Sequence, residues 1–408
     1  MKHRSLYLTL FIAMISIGFV VILVTNPNTS FLAALAGLKI WWEVVFPACL
    51  PFIVVSEVLM GVGIVHFAGV LLEPLMRPLF NVPGTGGFVM TMGFASGYPV
   101  AAKLTTRLRE QGSITQSEGE RLVSFTTTGD PLFVIGAVAV GFFHSEQLGY
   151  ILAFTHYVSA ILLGLVYRFY ALPAPITKHV DNNKYPVLVR AIQAMHRARL
   201  KDNRPFGKLM GDAVSSALQT LFMIGGFIIF FSVVIELLAT VRVTEFMSSF
   251  LAVFLGPFGF PSTISKALVS GLFEVTLGAQ TASLAAPHLS FMWQAAIASA
   301  IVSWGGLSVH AQVASILSQT DIRFIPYLLA RGIHAIIAVF LTIVLWKPLE
   351  ELTSTEAASV PVFFADEHIH TMHTWWNHFS HSAFVAALIL LILIVISRLL
   401  AKSNQSTY

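Results

Sequence analysis

The amino-acid sequence predicts an all-α multi-pass membrane protein with about eight transmembrane helices plus two re-entrant helical hairpins, arranged as an inverted repeat with broken helices. Of the 408 residues, 56% are apolar and 11% are charged, against about 25% charged in soluble proteins. The charges cluster, which leaves apolar tracts longer than the roughly 18 residues that span a bilayer. This composition excludes a soluble enzyme, a secreted disulfide scaffold and a disordered regulator, and the single cysteine, Cys49, has no partner for a disulfide.

The chain begins with a predicted N-terminal span and interfacial segment, residues 1–43. The apolar run 6–24 is long enough to cross, and Trp41-Trp42 is an aromatic pair suited to an interface. A cleaved signal peptide is the alternative, because Ala34-Leu35-Ala36 resembles a cleavage site, but the run is long and the site distant. The other predicted spans are 44–65, 119–143, 148–170, 209–239, 291–317, 325–346 and 384–400.

Two apolar stretches do not fit as simple spans. Residues 84–110 are interrupted by Ser96-Gly97-Tyr98-Pro99, and residues 262–287 by the polar run 276–281. Small and polar residues at the midpoint of an apolar tract predict a hairpin that enters and leaves on one side, with its turn at membrane depth.

Lys and Arg fix the orientation, because they collect in cytoplasmic loops. The segment 173–208 contains eight Lys and Arg against two Asp, so we expect it to be a cytoplasmic loop. Eight spans and two hairpins that do not cross then place both termini in the cytoplasm, in agreement with Lys2 and Arg4. The net charge of +4 lies mostly in this loop, so the sequence predicts no nucleic-acid partner.

The predicted elements repeat with inverted orientation. Residues 44–172 and 209–347 each run in the order span, hairpin, interrupted span, span. The interrupted spans break at residues 126–131 in the first repeat and at 303–306 in the second. Paired Gly and Pro interruptions in two inverted halves point to a transporter binding site near the bilayer midplane.

A half-helix that begins at membrane depth presents unpaired N–H groups, which suit a carboxylate or another anion. Pro99 is placed as the first residue of such a half-helix, and Lys103 and Arg107 follow on the same face. They add positive charge to a solute path, or they snorkel to the inner interface.

The intramembrane carboxylates Asp130 and Glu274 lie beside the breaks, and Glu57 lies within a span. Such carboxylates serve proton or sodium coupling, or they form a structural tie to Lys103 or Arg107. Polar groups at the breaks are further binding candidates, with packing between helices as the alternative for the threonines: Thr126, Thr127, Thr128, Gln280 and Thr281.

The C-terminal part, residues 348–408, predicts an extracytoplasmic His-rich segment followed by the last span. Five histidines lie between His368 and His381, but no His-Glu-x-x-His motif or cysteine accompanies them, so we expect no metal site. His156, His288 and His334 fit core positions, and His310, just after the break at 303–306, is the histidine to retain as a candidate.

Four runs of this sequence resemble those of the YlbJ, or stage V sporulation protein V, family of sporulation integral membrane proteins. They are GFASGYP (93–99), TTGDP (127–131), GLFEVTLGAQ (271–280) and SWGGLS (303–308). The family carries the nucleoside-recognition (Gate) domain and is similar in design to concentrative nucleoside transporters. The resemblance implies a transporter that moves dipicolinic acid from the mother cell across the outer forespore membrane, with no enzyme activity and no cofactor.

In the transporter relatives, the hairpin tips and broken helices hold the solute. Carried over, the binding roles fall on Ser96, Gly97, Pro99, Gly129, Asp130, Glu274, Gly278, Gln280, Thr281, Ser303 and Gly305. Ala282 stands where the nucleoside transporters have an acidic residue, which argues against a nucleoside and suits an anion. The same analogy suggests a homo-oligomer in the bilayer, with a monomer as the alternative.

Two other functions compete with dipicolinate transport. One is a carrier of nucleosides or other small solutes. The other, from a different class, is a membrane scaffold or signalling protein that recruits spore-maturation partners through the basic loop 173–208. An intramembrane enzyme is the least favoured reading, because no nucleophile and base pair stands out at the breaks.

Overall fold

The computed structural model describes residues 2–172, 174–177, 185–258, 260–285 and 289–354 of the chain. The regular secondary structure in these ranges is all helical, with no strand. Five of the described helices are long and apolar enough to cross a membrane: Pro27–Val62, Glu146–Tyr167, Phe206–Thr240, Phe291–Leu317 and Phe324–Thr353. The predicted all-α multi-pass membrane class is confirmed.

The helices before the basic loop are labelled α1 to α8. Their bounds are Lys2–Thr25 (α1), Pro27–Val62 (α2), Ile64–Leu75 (α3), Gly86–Ser96 (α4), Tyr98–Glu110 (α5), Gln116–Thr126 (α6), Leu132–Phe142 (α7) and Glu146–Tyr167 (α8). Helix α6 begins with a capping box, in which Thr115 and Glu118 satisfy each other's backbone N–H groups. Helix α7 is a π-helix, and α2 contains one π-helical turn at Trp41–Val45.

The remaining described helices are α9 to α16. Their bounds are Val187–Asp202 (α9), Phe206–Thr240 (α10), Val243–Leu255 (α11), Ser262–Phe273 (α12), Val275–Ser283 (α13), Phe291–Trp304 (α14), Gly306–Leu317 (α15) and Phe324–Ser354 (α16). Single residues separate two of these pairs, Glu274 between α12 and α13 and Gly305 between α14 and α15. The chain therefore turns or bends there without a loop.

The second span begins earlier than the predicted boundary at residue 44, because α2 starts at Pro27, in the first turn where proline is tolerated. Trp41, expected at an interface, is instead buried. Its indole Nε1 donates to the carbonyl oxygen of Leu221 on α10 at 2.9 Å, which satisfies the polar end of the ring inside the protein. Trp42 is the exposed member of the pair.

Three helices, α3, α9 and α11, have no counterpart among the predicted elements, and α9 lies within the segment predicted as a basic loop. The predicted eighth span 384–400 and the His-rich segment lie outside the described residues. The inverted repeat, the re-entrant course of the hairpins and the side of the membrane on which each terminus lies stay predictions.

A core of buried apolar side chains joins both halves of the described chain. It includes Trp41 and Val45 on α2, Leu148 on α8, Leu221 on α10 and Ile301 on α14. Helix α16 packs against both α8 and α14. The ends of the short helices are thus held against one another near the centre of the molecule.

Candidate functional site

The breaks surround a cavity of about 610 Å³. A volume of this size suits a small-molecule site, which commonly measures about 300–1,000 Å³. Six of the predicted site residues line it: Ser96, Gly97, Pro99, Lys103, Asp130 and Glu274. The wall is completed by residues of α2, α7, α10 and α15, among them Glu57, Ser216 and Ser308.

The α4–α5 turn brings three parts of the chain together. Gly97 has φ +83°, a conformation that favours glycine, and a Cβ there would lie 3.0 Å from Asp130 Oδ2. The hydroxyl of Tyr98 donates to the carbonyl oxygen of Val302 on α14 at 2.6 Å. Because Gly129 has no side chain, the Tyr98 hydroxyl fits beside it. The hydroxyl of Ser96 is buried and has no partner among the described residues.

Asp130 caps the N-terminus of α7. Its Oδ1 accepts from the backbone N–H groups of Leu132 at 3.0 Å and Phe133 at 2.8 Å. These donors would otherwise be unpaired at the start of the helix, so they stabilise the carboxylate. The other oxygen, Oδ2, faces Gly97 in the α4–α5 turn.

Glu274 performs the same task for α13. Its Oε2 accepts from Leu277 N at 2.8 Å and its Oε1 from Thr276 Oγ1 at 3.2 Å. The predicted position of this turn, the polar run 276–281, is wrong, because the interruption lies at Glu274 and the run is helical. Because the Glu274 side chain satisfies a backbone N–H group at the helix start, α13 begins at the next residue even though polar residues follow.

Three predicted residues on α13 do not line the cavity. A Cβ on Gly278 would lie 2.2 Å from Gly271 Cα, so this glycine permits the close approach of α12 and α13. The hydroxyl of Thr281 donates to Leu277 O within its own helix. Gln280 is partly buried in the same short helix.

At the α6–α7 break, a buried histidine joins the two halves. His156 on α8 accepts through Nε2 from Gly129 N at 3.2 Å and contacts Ser303 Oγ through Nδ1 at 3.1 Å. The hydroxyl of Tyr157 donates to Gly129 O at 2.9 Å. Gly129 and Ser303 are therefore linked to each other rather than open to the cavity, and Thr128 is fully buried beside them.

The α14–α15 break is built on two glycines with positive φ, Gly305 at +88° and Gly306 at +79°. A Cβ on Gly305 would first meet Tyr98 Cε1 at 3.4 Å, which is ordinary contact. A Cβ on Gly306 would lie 3.0–3.1 Å from backbone atoms of Phe273, Glu274 and Val275. Gly306 thus lets the break rest directly against the α12–α13 junction.

The four helix starts differ in how they are capped. Asp130 and Glu274 cap α7 and α13, whereas the starts of α5 and α15 have no side-chain cap. The lining includes one cation, Lys103, and a third carboxylate, Glu57, whose Oε1 accepts from Ser216 Oγ at 2.8 Å. The ion pairs between described residues do not join Asp130 or Glu274 to Lys103, so the structure does not contain that predicted tie.

No cluster of three or more metal-ligating side chains occurs within the described ranges. His310 is buried, with both ring nitrogens unpartnered there, and its ring packs edge-on against Trp304 at 4.3 Å. It does not line the cavity.

Comparison with known proteins places the chain in a family. Residues 42–172 match the Gate family model, described as nucleoside recognition. The sporulation integral membrane protein YlbJ of Bacillus subtilis (strain 168) is 48% identical over 344 residues, which are 84% of this chain and 83% of that protein. The chain belongs to the YlbJ family of sporulation integral membrane proteins.

This YlbJ family member also resembles solved structures of CNTnw. The structure in an inward-facing substrate-bound state has a TM-score of 0.45 and 17% identity, and covers 86% of each chain. A CNTnw variant in the intermediate 3 state has a TM-score of 0.47 and 16% identity, covering 85% of this chain and 87% of that one.

Sequence reasoning missed three residues that hold the site of this YlbJ family member together. Tyr98 lies inside the predicted turn. A phenol at membrane depth needs a hydrogen-bond partner, and this requirement could have identified Tyr98 as a residue of the site. Gly306 follows the predicted Gly305 directly. His156 carried no signal beyond its position in an apolar tract, which fits many core histidines.

Proposed function

We propose that this protein is a membrane transporter that moves dipicolinic acid, a small anionic aromatic dicarboxylate, from the mother cell across the outer forespore membrane during sporulation. The observation that carries the proposal is a cavity of about 610 Å³ that meets two uncapped helix starts and Lys103. Membership of the YlbJ family supports the setting in sporulation.

The cavity offers an anion three sources of positive potential. Helices α5 and α15 each carry about half a positive charge at their starts, and Lys103 lies one turn beyond Pro99. The unpartnered hydroxyl of Ser96 is a further donor. Asp130 and Glu274 oppose an anion less than free carboxylates would, because each is paired with the helix start that it caps.

In this proposal the predicted site residues divide into two groups. Ser96, Gly97, Pro99, Lys103, Asp130 and Glu274 meet the solute. Of the others, Thr128, Gly129, Ser303 and Gly305 shape the breaks that hold the first group in place, Gly278 permits the close approach of α12 and α13, and Gln280 and Thr281 belong to helix α13. Residues 44–172 and 209–347 act as inverted halves, and both termini lie on the mother-cell side.

The test is solute flux in proteoliposomes that contain only this protein, with dipicolinate followed by its luminescence with terbium. Lys103→Gln removes the cavity cation, and Arg107→Gln, one turn further along α5 and outside the cavity wall, is the matched control. Loss of a charged hydrogen bond of about 1.5–3 kcal/mol weakens apparent affinity roughly 10- to 100-fold. Equal flux in Lys103→Gln and Arg107→Gln vesicles contradicts the site, and no flux above empty vesicles contradicts the function.

The coupling ion is tested in the same vesicles by imposing a proton or a sodium gradient. Asp130 and Glu274 are the proposed groups, because both are carboxylates at helix breaks on the cavity wall. If neither gradient drives uptake, the carrier is uncoupled. Cross-linking in the vesicles tests for the homo-oligomer.

A nucleoside carrier is the second candidate, favoured by the Gate match over residues 42–172. Competition of labelled nucleosides with dipicolinate in the flux assay separates the two. A scaffold that acts through the basic loop 173–208 predicts that deletion of the loop abolishes sporulation function while purified protein still moves solute.

A further inference from the structure

Helix α9 has an unusual exposed face. Leu188, Ile192 and Leu200 lie within about 120° of one another on the helix surface, where they are 57%, 49% and 62% exposed, and the exposed His196 lies among them. On the other side of the helix Ala191 is fully buried, and Ala194, Met195 and Ala198 are partly buried. A helix that is buried on one side and mixes apolar with polar side chains on its open side has a pattern suited to a membrane surface.

The position of α9 indicates what that neighbour is. The backbone of α9 passes so close to Gly63, at the C-terminus of α2, that a Cβ on Gly63 would lie 2.5 Å from Met195 O. At the same end of the molecule, Gly61 of α2 meets Leu209 at the start of α10. Because α2 and α10 are both long and apolar enough to cross a membrane, α9 lies beside the ends of two candidate spans.

The cations of α9 are divided between its faces. Arg190 forms an ion pair with Glu73 of α3, and Arg199 pairs with Asp202 at 3.6 Å. Arg197 and Lys201, four residues apart and both exposed, have no carboxylate partner among the residues that the structure describes. They border the exposed side chains of Leu188, Ile192 and Leu200. Two positive charges without a carboxylate partner therefore lie beside side chains suited to lipid.

We infer that α9 lies in the membrane interface and binds anionic phospholipid headgroups through Arg197 and Lys201, while Leu188, Ile192 and Leu200 enter the acyl region. An apolar stripe with Lys and Arg at its border is the pattern of helices that lie in the plane of an anionic membrane surface. A phosphate diester offers the negative oxygens that the two unpaired cations lack.

The lipid site is connected to the cavity by close helix contacts. Helix α9 packs against α3, and α3 packs against α4, where a Cβ on Gly87 would lie 2.6 Å from Gly69 O. Helix α4 ends at Ser96 on the cavity wall. Two helices, α3 and α4, therefore separate the lipid site from the α4–α5 turn at the cavity.

The test uses the full chain in nanodiscs of phosphatidylcholine, with or without phosphatidylglycerol. Single nitroxide labels are attached through Leu188→Cys, Ile192→Cys and Leu200→Cys in a Cys49→Ala background, with Gln111→Cys at the exposed end of α5 as control. We expect the three α9 labels to be accessible to oxygen and protected from a water-soluble nickel complex, and the Gln111→Cys label to show the reverse. Phosphatidylglycerol should increase the protection.

A second measurement isolates the charges. Arg197→Gln with Lys201→Gln should weaken retention of phosphatidylglycerol about 30-fold at low salt, from two surface cations. Arg242→Gln with Lys266→Gln, exposed cations outside α9, is the charge-matched control and should leave retention unchanged. Both variants are compared by native mass spectrometry.

Three results would overturn the inference. Water exposure of the α9 labels equal to that of Gln111→Cys would show that the face does not meet lipid. Protection that depends on two copies per nanodisc would assign the face to a second chain, and protection that appears only with added soluble protein would assign it to a protein partner. None of these results bears on dipicolinate flux, so the proposed function stands or fails separately.

Discussion

The paired glycines at the α14–α15 break allow a matched test of how the breaks hold the cavity. Gly305→Ala introduces a side chain at φ +88° but makes only ordinary contacts, since the nearest atom would be Tyr98 Cε1 at 3.4 Å. Gly306→Ala introduces one at φ +79° into a cradle of backbone atoms 3.0–3.1 Å away. The two variants share the conformational penalty and differ in the contact.

The left-handed conformation destabilises a non-glycine residue by about 1–2 kcal/mol, and this is the expected loss for Gly305→Ala. Gly306→Ala adds overpacking of about 1–3 kcal/mol, because its neighbours are main-chain atoms that cannot rotate away. The expected total for Gly306→Ala is therefore roughly 2–5 kcal/mol. Since Gly306 rests against Glu274, the same variant should also displace the cap of α13 and lower solute flux.

The assay is unfolding of the purified protein in mixed micelles of increasing dodecyl sulfate content, followed by tryptophan fluorescence, since Trp304 adjoins the break. Gly305→Asn is a control that keeps a residue tolerant of positive φ. We expect stability in the order wild type, Gly305→Asn, Gly305→Ala, Gly306→Ala. Equal destabilisation by the two alanine variants would refute the backbone cradle as the reason for the second glycine.

Three further predictions test other contacts. Tyr98→Phe removes the hydrogen bond to Val302 O, orphans a buried acceptor and should destabilise by about 1–3 kcal/mol in the same unfolding assay. The buried Arg331 donates to the carbonyl oxygens of Ser124 and Thr127 at the end of α6, so Arg331→Met should destabilise by about 1–3 kcal/mol for each acceptor left unpaired, whereas Arg331→Lys should recover only part of the loss. Arg109 hydrogen-bonds Asp321 and lowers the pKa of that carboxyl below its ordinary 3.8, so the pair stabilises at pH above that value and is lost as pH falls through the lowered pKa. Asp321→Asn should therefore be less stable than wild type at pH 7, by under about 1 kcal/mol, and the difference should shrink as pH falls through the lowered pKa of Asp321.

The sequence predicted the helix ends well where glycine and proline cause them. Gly97 and Gly305 adopt positive φ, and Pro131 follows the non-helical segment before α7. These residues impose local geometry that no tertiary contact needs to supply. The breaks in the first hairpin and in both interrupted spans could therefore be predicted from the positions of glycine and proline in the sequence.

The predicted turn of the second hairpin, at the polar run 276–281, is misplaced because polar residues do not by themselves break a helix. Thr276 and Thr281 satisfy their hydroxyls at the cap and on the preceding helical turn, so the run 276–281 stays helical. The actual break depends on the Glu274 carboxylate reaching Leu277 N. A single glutamate inside an apolar tract gives little indication in the sequence that it caps a helix.

The motifs predicted six residues of the cavity wall, but they could not show which residues at the breaks turn away from the cavity or which other helices complete it. Gly129 and Ser303 lie at breaks but are turned toward His156, while Glu57 and Ser216 come from unbroken helices. Which side of a break faces the cavity depends on how α8 and α10 pack around it. Periodicity within one helix carries no information on that packing.

The buried guanidinium of Arg331 has a consequence for how the chain enters the membrane. It donates to the carbonyl oxygens of Ser124 and Thr127, which are the free end of the half-helix α6. A charged side chain within an inserted apolar helix destabilises it by about 2.5–3.5 kcal/mol unless acceptors are in reach. Because synthesis runs from the N-terminus, those carbonyls are already in the membrane when α16 leaves the ribosome. Insertion of α16 therefore depends on α6 ending at Thr126, which leaves these oxygens free to accept from Arg331.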